Sequence, residues 1–425
     1  MAALSQEVSL KLKKKKIKKD LKHVSLFTGC GGMDMGLEGG FSVFKESVAD
    51  SLALDWVEGL VERHKYLLRP TRFKTVFAND IRPLAKKVYT NHFSLDESAY
   101  HVESIVELVK RHWNGEKVFP EGADVVTGGF PCQDFSLSGK RKGFNSSKSH
   151  SGKKIDDPTE ENRGMLYVWM REVIDIVRPM VFIAENVKGL MSLGDTRSII
   201  QKDFEDIGDD GYFVLQPRVF HSADFGVPQS RERVFFIGLN KSFLKKGVLS
   251  KLEDEKWVKR NLLPEPTHSM DTKDNSSKKQ YVSLQKIFRG LPKPENSNDP
   301  SHTNYSKCKF YGKHCQGNRE VDLKKIGPTI RSEHHGNIEF RRLSPENGGS
   351  NSVEFKKGFT ERRLTPRECA RIQTFPDDFE LVIPKKVSAS EAYKLVGNAV
   401  PPLLAYHFAT CLERNWNKVF KKSSR

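Results

Sequence analysis

The chain has 425 residues, 37% hydrophobic and 29% charged, and a formal net charge of +17. That length allows two or three domains and a substantial buried core. The longest apolar run, Met180 to Ala184, falls far short of the ~20 residues of a membrane helix. The first residues lack an export-signal pattern, and 6 cysteines make no disulfide framework in a chain this long, so membrane, secreted and fibrous classes are excluded.

Residues 1–22 read as a basic N-terminal tail, with a charge of +7 concentrated between Lys11 and Lys22. Such a run serves equally as a solvated terminus and as a polyanion contact. From residue 23 to 240 the pattern is strand alternating with helix. Val24-Ser25-Leu26-Phe27 predicts a first buried strand, closed by the loop Thr28-Gly29-Cys30-Gly31-Gly32. Glycines there let backbone approach a nucleotide-like ligand, although a tight turn has the same composition. Asp34 stands where a dinucleotide fingerprint needs its third glycine, which argues against NAD.

Thr75-Val76-Phe77-Ala78 predicts the next strand, ending at Asn79-Asp80. Asp80 is placed to accept ribose hydroxyls, and equally to cap a helix before Arg82-Pro83. Ala123 to Thr127 predicts a third strand, leading into Gly128-Gly129-Phe130-Pro131-Cys132-Gln133. A cysteine after proline in a glycine-rich loop at the carboxyl edge of a sheet is not placed as a core residue. With its proton drawn off by the surroundings, it can act as a nucleophile. A helix follows through Leu166 and Val177. Met180 to Ala184 then predicts a strand ending at Glu185-Asn186, which brings Glu185 to the same edge as Cys132. Gln229-Ser230-Arg231-Glu232-Arg233 precedes a last strand, Val234 to Gly238. Buried strands alternating with amphipathic helices mean an α/β fold with a mainly parallel, Rossmann-like sheet, whose ligands sit beyond the carboxyl ends of the strands.

The alternation fades over 241–361. This stretch reads as a second, irregular, strand-and-loop domain, and residues 241–360 carry a charge of +10, as expected of a nucleic-acid contact. Order returns in 362–425. Thr365-Pro366-Arg367-Glu368 is a capping box opening a helix, and a further helix is predicted from Ala399 to Trp416 after a Gly397-Asn398 turn.

Seven segments, in order, resemble the DNA cytosine-5 methyltransferase family: Leu26 to Gly32, Asn79-Asp80, Gly129-Phe130-Pro131-Cys132-Gln133, Glu185-Asn186-Val187, Gln229 to Arg233, Arg363 to Glu368, and Gly397-Asn398-Ala399-Val400. The resemblance implies a Rossmann-like S-adenosylmethionine-dependent methyltransferase sheet. It makes 23–240 the catalytic and cofactor-binding domain, 241–361 the target-recognition domain, and 362–425 a segment returning to the catalytic domain. It implies that Cys132 adds to C6 of a flipped-out cytosine, that Glu185 hydrogen-bonds N3, that Arg233, beside Arg231, contacts O2, and that Pro131 shapes the loop. For S-adenosylmethionine it implies Phe27, Gly29, Cys30, Gly31, Asp80, Ile81, Leu166, Asn398 and Ala399, with Glu103 a candidate near the adenine.

The pattern departs from the family in two places. Phe27 and Asp80 are 53 positions apart, where a strand–helix–strand unit needs roughly 20 to 30, so 41–70 (with Trp56, His64 and Tyr66) is an insertion. A second hydrophilic insertion, 145–162, lengthens the loop after Cys132. Cys308, Cys315, His302 and His314 do not have standard zinc spacing, so no metal is expected. His334-His335-Gly336-Asn337 fits base-edge contact and an exposed turn equally. The reading is a monomeric, cytoplasmic, nucleoid-associated enzyme that methylates double-stranded DNA beside a restriction endonuclease acting independently on the same site. Methylation of cytosine in a structured RNA is the alternative, and a non-catalytic DNA-binding protein on the same fold is the third.

Overall fold

The computed structural model describes residues 19–131, 165–271, 277–312, 318–332, 339–350 and 352–422. Cys132, the 145–162 insertion, His314, Cys315, the 334–337 turn and the tail up to Lys18 lie outside the described residues.

Strand β1 (Leu21–Leu26) is buried except at Lys22, and helix α1 (Gly32–Glu38) follows the glycine loop. The 41–70 insertion is folded: β2 (Ser42–Phe44), α2 (Asp50–Trp56), β3 (Val57–Glu62) and β4 (Lys65–Leu68) make a separate antiparallel sheet in the order β2-β4-β3. Then come β5 (Phe73–Asn79), α3 (Pro83–Thr90), β6 (Tyr100–His101), α4 (Ile105–Trp113) and β7 (Val125–Gly128). They are followed by α5 (Leu166–Val177), β8 (Val181–Val187), α6 (Thr196–Glu205), β9 (Tyr212–Val214), β10 (Arg218–His221) and β11 (Glu232–Asn240).

The central sheet has 8 strands in the order β10-β11-β8-β7-β1-β5-β6, with β9 also pairing β11. From β8 to β6 the pairings are parallel, whereas β11 runs antiparallel to β8, β9 and β10. After β1 the chain builds first toward β6 and then returns to β7 on the other side. Its switch point therefore lies between β1 and β7, where ligand crevices open in such sheets. The antiparallel β11 matters as well: its first residues, not its last, reach the carboxyl edge.

His23 pins the middle of the sheet. Its ring nitrogens lie 3.0 Å from Thr75 Oγ1 and 2.8 Å from Thr127 Oγ1, on the two neighbouring strands. Burial pushes its pKa down to about 3, so it is neutral at physiological pH.

Residues 241–361 hold short helices such as Glu255–Leu262, a parallel ladder His268–Ser269 with Lys279–Gln280, and an antiparallel ladder Phe340–Arg342 with Arg362–Arg363. The chain then returns to the central sheet. Helix α7 (Pro366–Ile372) opens with the predicted capping box, Thr365 and Glu368 each accepting the other's backbone N–H. Helix α8 (Ala389–Asn398) includes Gly397 and Asn398, which the sequence reading placed in a turn, and α9 (Pro402–Val419) starts later than predicted. The prolines explain the difference: Pro401 and Pro402 hold the break extended, and Pro402 takes the first helical position, where a missing N–H costs nothing.

Helix α9 lies against α1. A Cβ at Gly36 would strike the carbonyl of Pro402 and the Cβ of Ala405, so only glycine allows this close approach. An 18-residue window within Ala389–Val419 is apolar enough by composition to cross a membrane, but 89% of that window is buried inside the protein. The segment is a pair of core helices. The insertion docks on this pair, Trp56 packing edge-on to Tyr406 and His407 with centroids 4.9 and 4.5 Å apart.

Glu368 is the most heavily paired carboxylate here. Arg362 reaches it through bonds of 2.8 and 2.9 Å, Arg341 lies 3.5 Å away, and Thr365 N donates at 2.8 Å. Burial works to raise its pKa, but Arg362, Arg341 and the Thr365 amide outweigh it and hold the carboxyl at about 2. A depressed folded pKa adds stability that is complete above the ordinary value of 4.5 and is lost as pH falls toward about 2. Glu368→Gln should cost about 3–5 kcal/mol, since it leaves buried cations uncompensated. Urea unfolding at neutral pH checks this, and the gap from wild type should narrow on acidification.

Candidate active site

A cavity of about 510 Å³ opens beyond the carboxyl ends of β1, β5, β7 and β8, at the switch point. Its wall carries Phe27, Gly29, Asp80, Ile81 and Leu166 on one side and Pro131, Glu185, Arg231 and Arg233 on the other, with Asn398 and Ala399 from the end of α8. Eleven predicted residues spread over 373 positions thus meet at one opening.

The first side is built on backbone geometry. Phe27 leaves β1 at φ 51° and Gly31 turns at φ 85°, which folds the loop back over the strand ends. Asp80 braces it: Oδ2 accepts from Gly29 N at 2.9 Å, and Oδ1 accepts from Arg82 N and Nε at 2.9 and 3.2 Å. Tyr100 donates to the Gly29 carbonyl at 3.0 Å. Asp80 does not cap α3, which has no side-chain cap; it ties two loops together and still presents its carboxylate to the cavity. Next to it Ile81 is 45% exposed, unusual for an isoleucine and suited to a flat apolar ligand face.

On the second side, Glu185 near the end of β8 is buried, and Arg233 Nε lies 3.0 Å from its Oε1. The antiparallel register makes the pair: Arg233 stands opposite Val187 and Phe235 opposite Glu185. Oε1 completes no hydrogen bond within the described residues, the Arg233 contact being an ion pair without hydrogen-bond alignment. Burial raises the Glu185 pKa, while Arg233 and Arg231 oppose the rise. The carboxyl can therefore hold a proton in the range where an ordinary glutamate has lost it. Asn186 donates to the Phe130 carbonyl at 3.3 Å, which anchors the strand end from which Pro131 leads to Cys132.

Other predicted residues are off the wall or already engaged. Cys30 is not on the cavity wall. It is buried with Sγ toward the Leu395 carbonyl at 3.6 Å, and burial pushes its thiol up to about 12. Gly31 lies behind the loop against Tyr89 and Phe93. Arg231 is 1% exposed, and its Nη1 donates to the carbonyls of Ile330 and Gly397 at 3.0 and 3.1 Å. That makes it a clamp between distant segments more than a group free to meet a substrate. Glu103 is on the wall, but its carboxylate is engaged by Arg111 at 2.6 Å. His302 has both ring nitrogens occupied, by Thr365 Oγ1 at 2.8 Å and the Pro292 carbonyl at 2.9 Å, which leaves none for a metal.

Arg82, Asn186, Ser332 and Lys394 also stand on the cavity wall, and the sequence alone does not single them out as site residues. Asn186 was within a quoted motif, and its amide role could have been suspected there. Ser332 and Lys394 carry no local signal, because only the folded chain brings them near β1.

Residues 21–414 match the family model of the C-5 cytosine-specific DNA methylases. The chain is 31% identical to the type II methyltransferase M.BspRI of Lysinibacillus sphaericus, over 90% of this chain and 79% of that protein. It is 29% identical to the type II methyltransferase M.NgoFVII of Neisseria gonorrhoeae, over 90% of this chain and 83% of its relative. Among solved structures it is similar in fold to the S. pombe Dnmt2 methyltransferase, at 16% identity and a TM-score of 0.54, covering 93% of this chain and 99% of that one. With its seven motifs in order and the family match spanning almost its whole length, the chain belongs to the C-5 cytosine-specific DNA methylases and is a DNA (cytosine-5-)-methyltransferase.

Proposed function

We propose that the chain methylates C5 of cytosine within a short, specific sequence of double-stranded DNA, using S-adenosylmethionine, as the modification partner of a restriction system. The observation that carries this reading is Glu185: a buried carboxyl 3.0 Å from Arg233, pushed toward the acid form by burial, with an oxygen that completes no hydrogen bond among the described residues, beside the loop that leads to Cys132. A cytosine ring entering here would find a donor for N3 in Glu185 and a cation for O2 in Arg233.

Cytosine C5 is a poor nucleophile, so the ring must be activated first. In this reading the Cys132 thiolate forms a bond to C6, and the displaced electron pair is drawn toward C5 while Glu185 stabilises the charge at N3. S-adenosylmethionine, when bound, supplies an electrophilic methyl group. With the methyl group bonded to C5 and S-adenosylhomocysteine as the leaving group, the C5 proton would pass to a base, its bonding pair would re-form the C5–C6 double bond, and the C6–S bond would break with its electrons returning to Cys132 as thiolate. The target must leave the helix for both faces of this chemistry to reach it, hence base flipping. Asp80 fits the ribose hydroxyls, and Phe27, Ile81 and Leu166 offer apolar surface for the adenine. Asn398 and Ala399 close the same side. Residues 241–361, with their +10 charge between 241 and 360, would read the DNA, while 23–240 and 362–425 carry the chemistry and 1–22 forms a basic tail. The enzyme would act as a monomer in the cytoplasm, on the nucleoid, and its endonuclease would act independently on the same site.

Expression in a host lacking cytosine methylation, followed by genome-wide 5-methylcytosine mapping, should show one short recurring methylated word. An unmethylated genome despite abundant folded protein would overturn the DNA reading, and host RNA would then be examined for the modification. Cys132→Ala should abolish methyl transfer and leave DNA binding intact; activity that survives it would exclude the covalent mechanism. Asp80→Ala should weaken S-adenosylhomocysteine binding by roughly 10- to 100-fold, the worth of charge-assisted hydrogen bonds, as read by calorimetry without DNA.

A further inference from the structure

A second opening lies away from the catalytic cavity. It is a groove of about 700 Å³ between residues 303–307 and the loop 382–389 that leads into α8. Lys307, Lys385 and Lys386 line it, and among the described residues no carboxylate does.

Its charge is unspent, in contrast to its neighbourhood. Nearby cations are consumed in pairs: Arg362 with Glu368, Arg367 with Asp299, Arg371 with Asp377 and Lys394 with Glu391. Among the described residues, none of the three groove lysines forms an ion pair, and all three are exposed. Lys307 Nζ sits 3.5 Å from the Tyr305 ring centroid, which holds the ammonium in place without neutralising it. Lys385 adopts φ 62°, a left-handed conformation that costs a side chain roughly 1–2 kcal/mol. Glycine would relieve that cost, and the strained lysine turns at the rim of the groove instead.

Helix α8 relates the groove to the site. Ala389, its first residue, is on the groove wall, and Asn398, its last, is on the wall of the catalytic cavity. Its 10 residues span about 15 Å, or roughly four base pairs at 3.4 Å per step along one strand. A duplex with its target base in the cavity would bring flanking phosphates within reach of these lysines.

We propose that this groove is a second, sequence-independent phosphate-binding surface that holds duplex DNA flanking the methylated word. The proposal rests on the DNA methylation reading and extends it from the word to its flanks. Each phosphate neutralised adds about 0.9 to the salt slope of binding, so the three lysines together should account for about 2 to 3.

The test compares wild type with Lys307→Ala/Lys385→Ala/Lys386→Ala on a duplex of about 6 base pairs centred on the methylated word, closed at both ends by uncharged linkers so that it stays paired but stops short of the groove, and on one of about 30 with the same centre. In the variant, affinity for the long duplex should fall about tenfold and its salt slope by about 2 to 3. Short-duplex affinity and kcat at saturating DNA should stay unchanged, and arginine at all three positions should restore the long-duplex affinity. An unchanged long-duplex affinity and slope would overturn the proposal, as would an equal loss on both duplexes. A variant weakened only toward structured RNA would overturn it too. Failure of the underlying reading is separately visible, because wild type itself would then neither bind nor methylate the duplex.

Discussion

Arg231 is a full charge at 1% exposure, and the two carbonyls its Nη1 reaches fasten distant parts of the chain at the cavity. A guanidinium can be buried only if its donors find acceptors in place of water. Here the acceptors are two backbone carbonyls, Ile330 in the 241–361 stretch and Gly397 at the end of α8. Gln229 supports it, with Oε1 accepting from Ile330 N and Nε2 donating to Gln373, whose own amide reaches the Val396 carbonyl. Three parts of the chain separated by as many as 166 positions are fastened at the lip of one cavity. Moving any one of them would break a hydrogen bond of a buried charge.

Two residues along the same strand, the same kind of side chain is put to a different use. Arg233 is less buried than Arg231 and faces Glu185 across the antiparallel ladder. The pair is an incomplete one: a nearby cation favours the carboxylate, burial favours the acid, and burial prevails in the net upward shift. A fully satisfied bidentate pair, such as Arg362 with Glu368, lowers a carboxyl to about 2 and takes it out of proton chemistry. Both carboxyls are buried, but Glu368 receives aligned bonds from Arg362 and the Thr365 amide with Arg341 beside it, whereas Glu185 Oε1 has no aligned hydrogen bond among the described residues.

The 41–70 insertion follows the structural pattern. Lys65, almost buried, bonds Asp377 at 2.5 Å, and Asp377 in turn receives two bonds from Arg371, at 2.8 and 2.6 Å. Arg371 Nη1 also reaches the carbonyls of Ile287 and Arg289, and Arg289 lies 3.1 Å from His64 Nδ1. The insertion therefore joins the C-terminal helices to the 268–289 stretch, and its role in the described fold is to brace one against the other.

By itself the sequence determined what depends on neighbours in the chain. Buried apolar runs ending in glycine or polar residues specified the strands and their carboxyl edge, and Thr365 with Glu368 specified a helix start, because these signals act within a few residues. Motif order singled out Asp80, Glu185 and Arg233 as candidates before any geometry, and the fold brings all three to one cavity wall. Tertiary structure alone decided the antiparallel direction of β11, which is what turns Arg233 toward Glu185, and the split between Arg231 as clamp and Arg233 as cavity group. It also withdrew Cys30 and Gly31 from the wall and added Ser332 and Lys394. Those outcomes depend on which backbone carbonyls and which buried surfaces meet across hundreds of positions, and the packing of the whole chain settles them.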